Sequence, residues 1–265
     1  MSSINEQFAK WAYQKISEQW DRWIGDNHIS RNTKWVVAIS GGKDSTVVAA
    51  TATRKFGADR VVGLTLPCGV QSDYGDSVKV CRFLGISEFS LNIAPAVDSI
   101  IGGIEASGQK VSYDTRTNLP ARIRMSATMA LAQSVGGMML NTSNLTESVV
   151  GYASLFGDDA GCYAPIKDLT VTEVIALGDW LGLPVELTHK TPVDGLQPLT
   201  DEDKLGMKYA DIDRFIRNNE GSDDLKRHVL NLYRKNRFKT DIMNVPGPSL
   251  GLENYVKMYG NAKTI

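Results

Sequence analysis

The chain has 265 residues, of which 42% are hydrophobic and 22% charged, and its formal net charge is -1. This composition is typical of a globular protein with a large core, and the length suits one α/β domain over 1–265 better than two small domains. The near balance of charge excludes a broadly basic surface. We therefore expect no nucleic-acid partner and no attraction to an anionic membrane.

The sequence carries no recognisable targeting or membrane signal. No run approaches the roughly 20 apolar residues of a transmembrane helix, and the first residues are polar and acidic, unlike a signal peptide. Cys68, Cys81 and Cys162 are widely spaced. They form no CxxC pair, so neither a zinc ribbon nor a redox dithiol is indicated. Isolated thiols suit a reducing compartment, and we predict a cytoplasmic protein.

The first predicted element is an amphipathic helix over 4–24, where apolar side chains recur at helical spacing before Gly25. This helix could pack on its own domain or on a partner subunit. Buried-type strands then alternate with helices. The predicted strands are 35–39, 60–66, 88–92 and 138–140. After the first strand we predict a helix that ends near Gly57. Further helices are predicted over 73–84, 95–107 and 119–135, with an exposed loop over 108–118 between the last two.

This alternation predicts a doubly wound parallel sheet flanked by helices. Such sheets bind ligands at the carboxyl ends of their strands, so the segments directly after strands are the candidate sites. Beyond residue 150 the pattern is less regular. We predict a loop over 154–168, helices over 170–182, 201–217 and 223–237, a Pro- and Thr-rich stretch over 188–200, and an irregular C-terminal tail over 240–265.

The segment Ser40 to Thr46 reads SGGKDST and lies between a predicted strand and a predicted helix. Its glycines allow the backbone to approach a ligand closely. Backbone N–H groups at the start of the helix, together with the hydroxyl groups, can bind phosphate oxygens. The predicted nucleotide-binding residues are Ile39, Ser40, Gly41, Gly42, Lys43, Ser45 and Thr46.

Asp44 would repel a bare phosphate, so a carboxylate in this loop implies a bridging cation, which we predict to be Mg²⁺. The segment is not a Walker A loop, because GxxxxGK[ST] is absent. The plainer alternative is a tight turn in which Ser40 and Asp44 only cap the helix.

The SGGKDS string resembles the SGGxDS signature of the PP-loop ATP pyrophosphatases. Members of that group cut ATP between the α and β phosphates and form an adenylate that a nitrogen or sulfur nucleophile displaces. Three further segments resemble the NAD synthetase family within that group: 66–73 (LPCGVQSD), 141–158 (NTSNLTE to GD) and 189–206, which contains TDE. The resemblance covers about 36 to 245 and implies an adenine nucleotide alpha hydrolase-like, Rossmann-like fold.

The resemblance also implies roles for individual residues. Gln71 and Thr142 would lie on ATP, and Glu147 would bind Mg²⁺ together with Asp44. Asp158 would lie near the reacting carboxyl group and, with Asp44, act in catalysis. The substrate-binding residues carried over from the family are Arg116, Lys190 and Lys239.

The sequence departs from the family pattern at five positions. Leu155 stands where a substrate-binding lysine is usual, and Val171 where a lysine lies near the ATP phosphates. Cys162 replaces an aspartate, Thr65 an arginine and Phe238 a histidine. The residues predicted to bind metal and pyrophosphate are intact, whereas those that contact the rest of the nucleotides are not.

By resemblance, the chain would amidate deamido-NAD with ammonia at the expense of ATP, using ATP and Mg²⁺, and would form a homodimer with its active site near the interface. Two alternatives stay open. One is a PP-loop amide ligase that acts on a different carboxylic acid, which the five departures favour. The other is a nucleotide-binding sensor that has lost catalysis, which the intact Asp44 and Glu147 oppose.

Overall fold

A four-stranded, fully parallel sheet forms the centre of the computed structural model, which describes residues 3–70, 74–189 and 200–251. The strand order is β3-β2-β1-β4. The strands are β1 (Lys34–Ala38), β2 (Val61–Thr65), β3 (Ser87–Ser90) and β4 (Gly137–Met139). Val36 of β1 pairs with Val62 on one side and Met139 on the other. The predicted doubly wound parallel sheet is confirmed.

Eleven α-helices and one 3₁₀ turn (Ala58–Arg60) accompany the sheet within the described ranges. The helices are α1 (Ser3–Asp26), α2 (Lys43–Phe56), α3 (Tyr74–Leu84), α4 (Ala94–Ala106), α5 (Tyr113–Ser134), α6 (Leu145–Val150), α7 (Val171–Trp180), α8 (Val185–Thr188), α9 (Asp201–Leu205), α10 (Tyr209–Asn218) and α11 (Asp223–Ile242). None of these described helices has the length and apolarity that crossing a membrane requires.

Both faces of the sheet are covered because alternate residues of a strand point to opposite sides. Trp35 and Val37 of β1 belong to the main core, which also contains residues of α1, α2 and α7. Val36 between them packs with Val62 and with Ala132 of α5 on the other face. A nearly uninterrupted apolar run is therefore what the central strand of this sheet requires.

The apolar face of helix α1 packs on the chain's own core. Of the two alternatives that the sequence left open for this helix, packing on its own domain or on a partner subunit, the first holds for this face. Ile16 and Trp20 are fully buried in the main core. The Trp20 ring stacks on Tyr163 with 4.8 Å between centroids and meets Trp35 edge-on at 5.0 Å. Such aromatic pairs add stabilisation beyond their buried area.

Three of the predicted elements were wrong in detail. The irregular tail predicted from 240 begins only after Ile242, because α11 continues to that residue. Residues 113–118 are helical rather than loop, because Ser112 caps α5 by accepting a hydrogen bond from the Thr115 amide at 3.1 Å. The single helix predicted over 201–217 is two helices, α9 and α10. Gly206 adopts a φ of 68° and ends the first of them, as glycine does at helix C-termini.

A second apolar cluster joins α6, α10 and α11, with Leu145, Ile212 and Val229 fully buried in it. Segment 243–251 forms neither helix nor strand and returns across the domain, where the Leu250 amide donates to the Asp168 carboxylate at 3.0 Å. That residues 1–265 form a single domain stays a prediction.

Candidate nucleotide-binding site

The candidate site lies where the strand order reverses. From β1 the chain first winds outward to β2 and β3, and then returns to add β4 on the other side of β1. The crevice beyond the carboxyl ends of two such neighbouring strands is the usual ligand site of a doubly wound sheet. The SGGKDST loop follows β1 and the NTSN loop follows β4, so the two strongest sequence motifs meet there.

The loop between β1 and α2 is held by its own hydroxyl groups. The Ser40 and Ser45 Oγ atoms are 3.1 Å apart, the Gly42 amide donates to Ser40 Oγ at 3.2 Å, and Thr46 Oγ1 donates to the Gly42 carbonyl at 2.7 Å. Gly41 has a φ of 79°, and a Cβ atom there would lie 2.9 Å from Asp76 Cβ. The loop thus needs glycine for both conformation and space.

Lys43 and Asp44 open helix α2 and form an ion pair. Lys43 Nζ lies 2.9 Å from Asp44 Oδ2, and the two side chains are only 4% and 17% exposed. The Lys43 ammonium group also lies over the Tyr209 ring, 5.5 Å from its centroid. A lysine is rarely buried to this extent without a charged partner.

Asn144 connects the two predicted metal-binding carboxylates. Its Nδ2 donates to Asp44 Oδ1 at 3.0 Å. Its Oδ1 accepts from the Glu147 amide at 2.9 Å, and its own amide donates to Glu147 Oε2 at 3.4 Å, which completes a capping box at the start of α6. Asp44 after β1 and Glu147 after β4 are therefore brought to the same place.

Burial, and after it the charge of Asp44, raise the pKa of Glu147 to about 8 against the opposing charge of Lys43. A carboxyl group whose ionisation is disfavoured by a neighbouring carboxylate suits a shared cation. In the described part of the chain no three His, Cys, Asp or Glu side chains cluster closely enough to hold a metal ion. A cation here would therefore take its remaining ligands from phosphate oxygens and water.

Asp158 lies on the loop that follows α6. Its Oδ2 accepts from the Ser154 amide at 2.9 Å, and its backbone carbonyl accepts from Asn141 Nδ2 at 3.2 Å and from Ser143 Oγ at 3.3 Å. These bonds attach the loop to the end of β4, next to Thr142. The charge of Asp158 also acts on Glu147. Asp158 therefore belongs to the same site.

The predicted substrate-binding residues are less close together. Lys239 of α11 donates to the backbone carbonyls of Gly151 and Ala153, at 3.0 and 2.9 Å, which places it beside the loop that carries Asp158. Arg116 instead pairs with Glu105 of α4 at 2.8 Å, and no described contact joins it to the carboxylate site. Gln71 and Lys190 lie outside the described residues.

None of the five departures places a cation or a carboxylate in the site. Val171 is buried in the second core cluster, Cys162 is half-buried and Phe238 is exposed. Thr65 Oγ1 donates to the Phe89 carbonyl, and Leu155 offers its backbone carbonyl to Arg122. Positions 171 and 155 carry lysines in the family pattern. The positive charge that those lysines would bring must therefore come from other residues of this chain.

Sequence reasoning missed three residues of the site. Asn144 could have been recognised, because Asn followed three residues later by Glu is the signature of a capping box. Asp159 and Tyr209 gave no local signal. Asp159 accepts from Ser143 Oγ at 3.1 Å, and burial raises its pKa. Asp159 also lines a cavity of about 110 Å³ between the end of β4 and segment 243–245.

The fold and these strand-end loops define an α/β enzyme that binds a nucleotide at a topological switch point. Comparison with known proteins narrows this class. The family model for NAD synthase matches residues 17–243. The NH(3)-dependent NAD(+) synthetase of Pyrococcus furiosus is 37% identical over 182 residues, which cover 68% of this chain and 70% of the relative.

Solved structures similar to this chain are also named as synthetases of pyridine nucleotides. An NMN synthetase from Francisella tularensis superposes with a TM-score of 0.77 at 26% identity and covers 89% of this chain and 95% of its own. An NAD+ synthetase from Burkholderia pseudomallei superposes with a TM-score of 0.72, also at 26% identity, over 88% and 90% of the two chains. The chain belongs to the NAD synthase family and is accordingly a ligase that uses ATP as a substrate.

Proposed function

We propose that this chain is an ammonia-dependent NAD synthetase that amidates the nicotinate carboxylate of deamido-NAD and releases AMP and pyrophosphate. The observation that carries the proposal is the meeting of Asp44 and Glu147, through Asn144, beside the SGGKDST loop at the switch point of the sheet. The activity itself is that of relatives such as the Pyrococcus furiosus enzyme, named NH(3)-dependent NAD(+) synthetase.

The reaction has two steps. A carboxylate oxygen attacks the α-phosphorus of ATP, the bond to the β-phosphate breaks, and pyrophosphate leaves. Ammonia then attacks the carbonyl carbon of the resulting mixed anhydride, AMP leaves, and the nitrogen loses a proton. Asp158 is the candidate to hold ammonium and accept that proton, because its carboxylate is exposed on the loop beside Glu147.

The chain's own groups suit the first step. Backbone N–H groups at the start of α2, where the N-cap residue Gly42 supplies no side-chain hydrogen bond, and the hydroxyl groups of Ser40 and Ser45 can hold phosphate oxygens. Asp44 and Glu147 would hold Mg²⁺, which when bound offsets the charge that develops on pyrophosphate. The site then acts mainly by positioning two anionic substrates against each other.

The same proposal includes a homodimer with the active site near the interface and a cytoplasmic location. None of the three cysteines, all within the described residues, forms a disulfide, which suits a reducing compartment. Lys239 and Arg116 would contact the second nucleotide, with Gln71 and Thr142 on ATP. Lys190 would belong to the segment that closes over the substrates.

A second candidate for the acid substrate comes from one of the structural neighbours. The Francisella tularensis neighbour is an NMN synthetase, and the present chain lacks side chains that the family uses to contact the nucleotides, as Leu155 and Phe238 illustrate. The acid that corresponds to NMN is nicotinate mononucleotide. A site that contacts only one nucleotide would need fewer of these side chains.

The test is to incubate the protein with ATP, Mg²⁺ and ammonium together with either deamido-NAD or nicotinate mononucleotide, and to separate NAD, NMN and AMP by chromatography. We expect NAD and AMP in equal amounts and a higher kcat/KM for deamido-NAD. Asp44→Asn should remove both products. Asp223→Asn, which also changes a first-turn carboxylate but an exposed one, should not. Preferential formation of NMN would establish the alternative, and AMP without either amide would overturn both.

A further inference from the structure

A buried lysine lies in the phosphate-binding loop itself. The Lys43 side chain is 4% exposed and its Nζ lies 2.9 Å from Asp44 Oδ2. Its charge also acts on Glu147, where it favours the ionised carboxylate. Lys43 thus pairs with Asp44 and acts electrostatically on Glu147, the two carboxylates to which the proposed function assigns the metal.

An aromatic ring packs against the Lys43 ammonium group and leaves it able to move. Tyr209, at the start of α10, presents its ring to the ammonium group at 5.5 Å. The Tyr209 amide is itself anchored by Glu202 Oε1 at 2.8 Å. A flexible four-carbon stem above an aromatic face lets an ammonium group change partners at small cost.

The phosphate side of the site lacks a cation that the family pattern supplies. Val171 stands where the family has a lysine near the ATP phosphates, and it is buried in an apolar cluster. Lys43 lies at the first position of α2, next to the backbone N–H groups that we predict to bind the phosphates. A cation already present in that loop is in place to perform the missing function.

We propose that Lys43 is an internal counter-ion that neutralises the Asp44–Glu147 pair in the metal-free enzyme and transfers to the phosphates of ATP when Mg²⁺ takes its place. The inference rests on the proposed function for the identity of the metal site, but not on the identity of the acid substrate. Lys43 then has two opposite effects. It competes with Mg²⁺ for the two carboxylates when no nucleotide is bound, and it strengthens binding of the Mg²⁺–ATP complex.

The test measures these two affinities separately by titration calorimetry on the full chain, without any acid substrate. Lys43→Met keeps most of the apolar stem and removes the charge. Affinity for Mg²⁺ alone should rise about tenfold, because a unit charge next to the site is lost. Affinity for ATP in saturating Mg²⁺ should fall by at least about fivefold for the same reason. Lys43→Arg, which keeps the charge, should restore tight binding of Mg²⁺–ATP.

The chain offers a matched control on the same helix. Lys55 is also buried, with a side chain 7% exposed, pairs with Asp21 at 2.7 Å and lies over the Phe56 ring at 5.2 Å. Lys55→Met removes the same kind of group at the far end of α2. Both affinities should stay within about twofold of the unmodified chain.

A second measurement keeps the proposal testable if Lys43→Met folds poorly. Without Lys43 the half-buried Asp44 carboxylate loses the ammonium group that pairs with it. The Tm should therefore fall in EDTA, and it should rise more on addition of Mg²⁺ than it does for the unmodified chain. Equal Mg²⁺-induced increases in Tm for the two proteins would overturn the proposal. So would a Lys43→Met variant in which both affinities fall together or neither changes. Failure of deamido-NAD as substrate would affect only the proposed function.

Discussion

At the scale of single residues, we expect the protonation of Glu147 to control the proposed metal site. Its pKa is raised to about 8, first by burial and then by Asp44. A cation must therefore displace a proton at lower pH, so affinity for Mg²⁺ without nucleotide should increase from about pH 6 and level off above about pH 8. Calorimetric titration at several pH values measures this. Glu147→Gln should weaken binding and remove most of the pH dependence, whereas a flat profile in the unmodified chain would contradict this view of the site.

The same pKa has a consequence for stability. Because the pKa of Glu147 is higher in the folded state than in the unfolded state, the metal-free fold gains most from the protonated form below about pH 4.5. It loses that contribution as pH rises through about 8. Mg²⁺ should reduce this loss. Thermal unfolding in EDTA and in Mg²⁺ across this range compares the two conditions directly.

Gly41 is the residue on which the geometry of the nucleotide loop depends. With a φ of 79° and with Asp76 and Ser77 atoms at 2.9 and 3.0 Å from a Cβ, alanine would force the loop to shift. Gly41→Ala should weaken ATP binding at least about tenfold, since left-handed backbone alone costs about 1–2 kcal/mol. Gly102→Ala in α4, where a Cβ meets nothing within 4 Å, should leave ATP binding unchanged. Equal affinities in all three proteins would sink the prediction.

At the scale of elements, a buried carboxylate joins three helices around the site. Thr146 Oγ1 of α6 donates to Asp213 Oδ1 at 2.6 Å, and the Thr172 amide of α7 donates to Asp213 Oδ2 at 2.8 Å. Asp213 itself lies on α10 and is 3% exposed. This network positions α6, and therefore Glu147, relative to the segment that carries Tyr209.

Removal of the Asp213 carboxylate should destabilise the fold. Asp213→Ala leaves the Thr146 hydroxyl and the Thr172 amide without acceptors, and we expect the free energy of unfolding to fall by about 2–4 kcal/mol. Urea unfolding measures this. Asp211→Asn on the same helix breaks only an exposed pair with Arg214 and should change it by less than about 0.5 kcal/mol. If the two variants were equally stable, the network would have no structural importance.

The sequence predicted the sheet and the location of the site because both depend on local patterns. Strands such as 35–39 are uniformly apolar, and the SGGKDST loop follows one of them directly. The polar composition of 113–118 predicts a loop, whereas the structure has the first turns of α5 there, capped by Ser112. The contacts of Tyr209 with Lys43 could not be predicted, since they bring together residues more than 160 positions apart through packing of the second cluster.

At the scale of the whole molecule, several large apolar side chains near the β3 edge of the sheet are exposed. Exposed apolar surface of this kind is typical of a protein–protein interface. They cluster in sequence on α3, on β3, in the residue that follows it and on α4: Phe83, Phe89, Leu91 and Ile100. We expect light scattering to give a mass near twice the chain mass of 29.0 kDa. Ile100→Glu should shift the mass toward one chain if this edge is the interface. A single-chain mass for the unmodified protein would contradict the proposed homodimer.

The central claim is that the chain activates a nicotinate carboxylate by transfer of AMP. The direct measurement uses deamido-NAD labelled with ¹⁸O in that carboxylate, with ATP, Mg²⁺ and ammonium, and reads the AMP product by mass spectrometry. Because one carboxylate oxygen attacks the α-phosphorus and leaves with AMP, each AMP should carry one ¹⁸O atom when the amide forms. Unlabelled AMP, or release of ADP in its place, would contradict adenylation and with it the function proposed for Asp44 and Glu147.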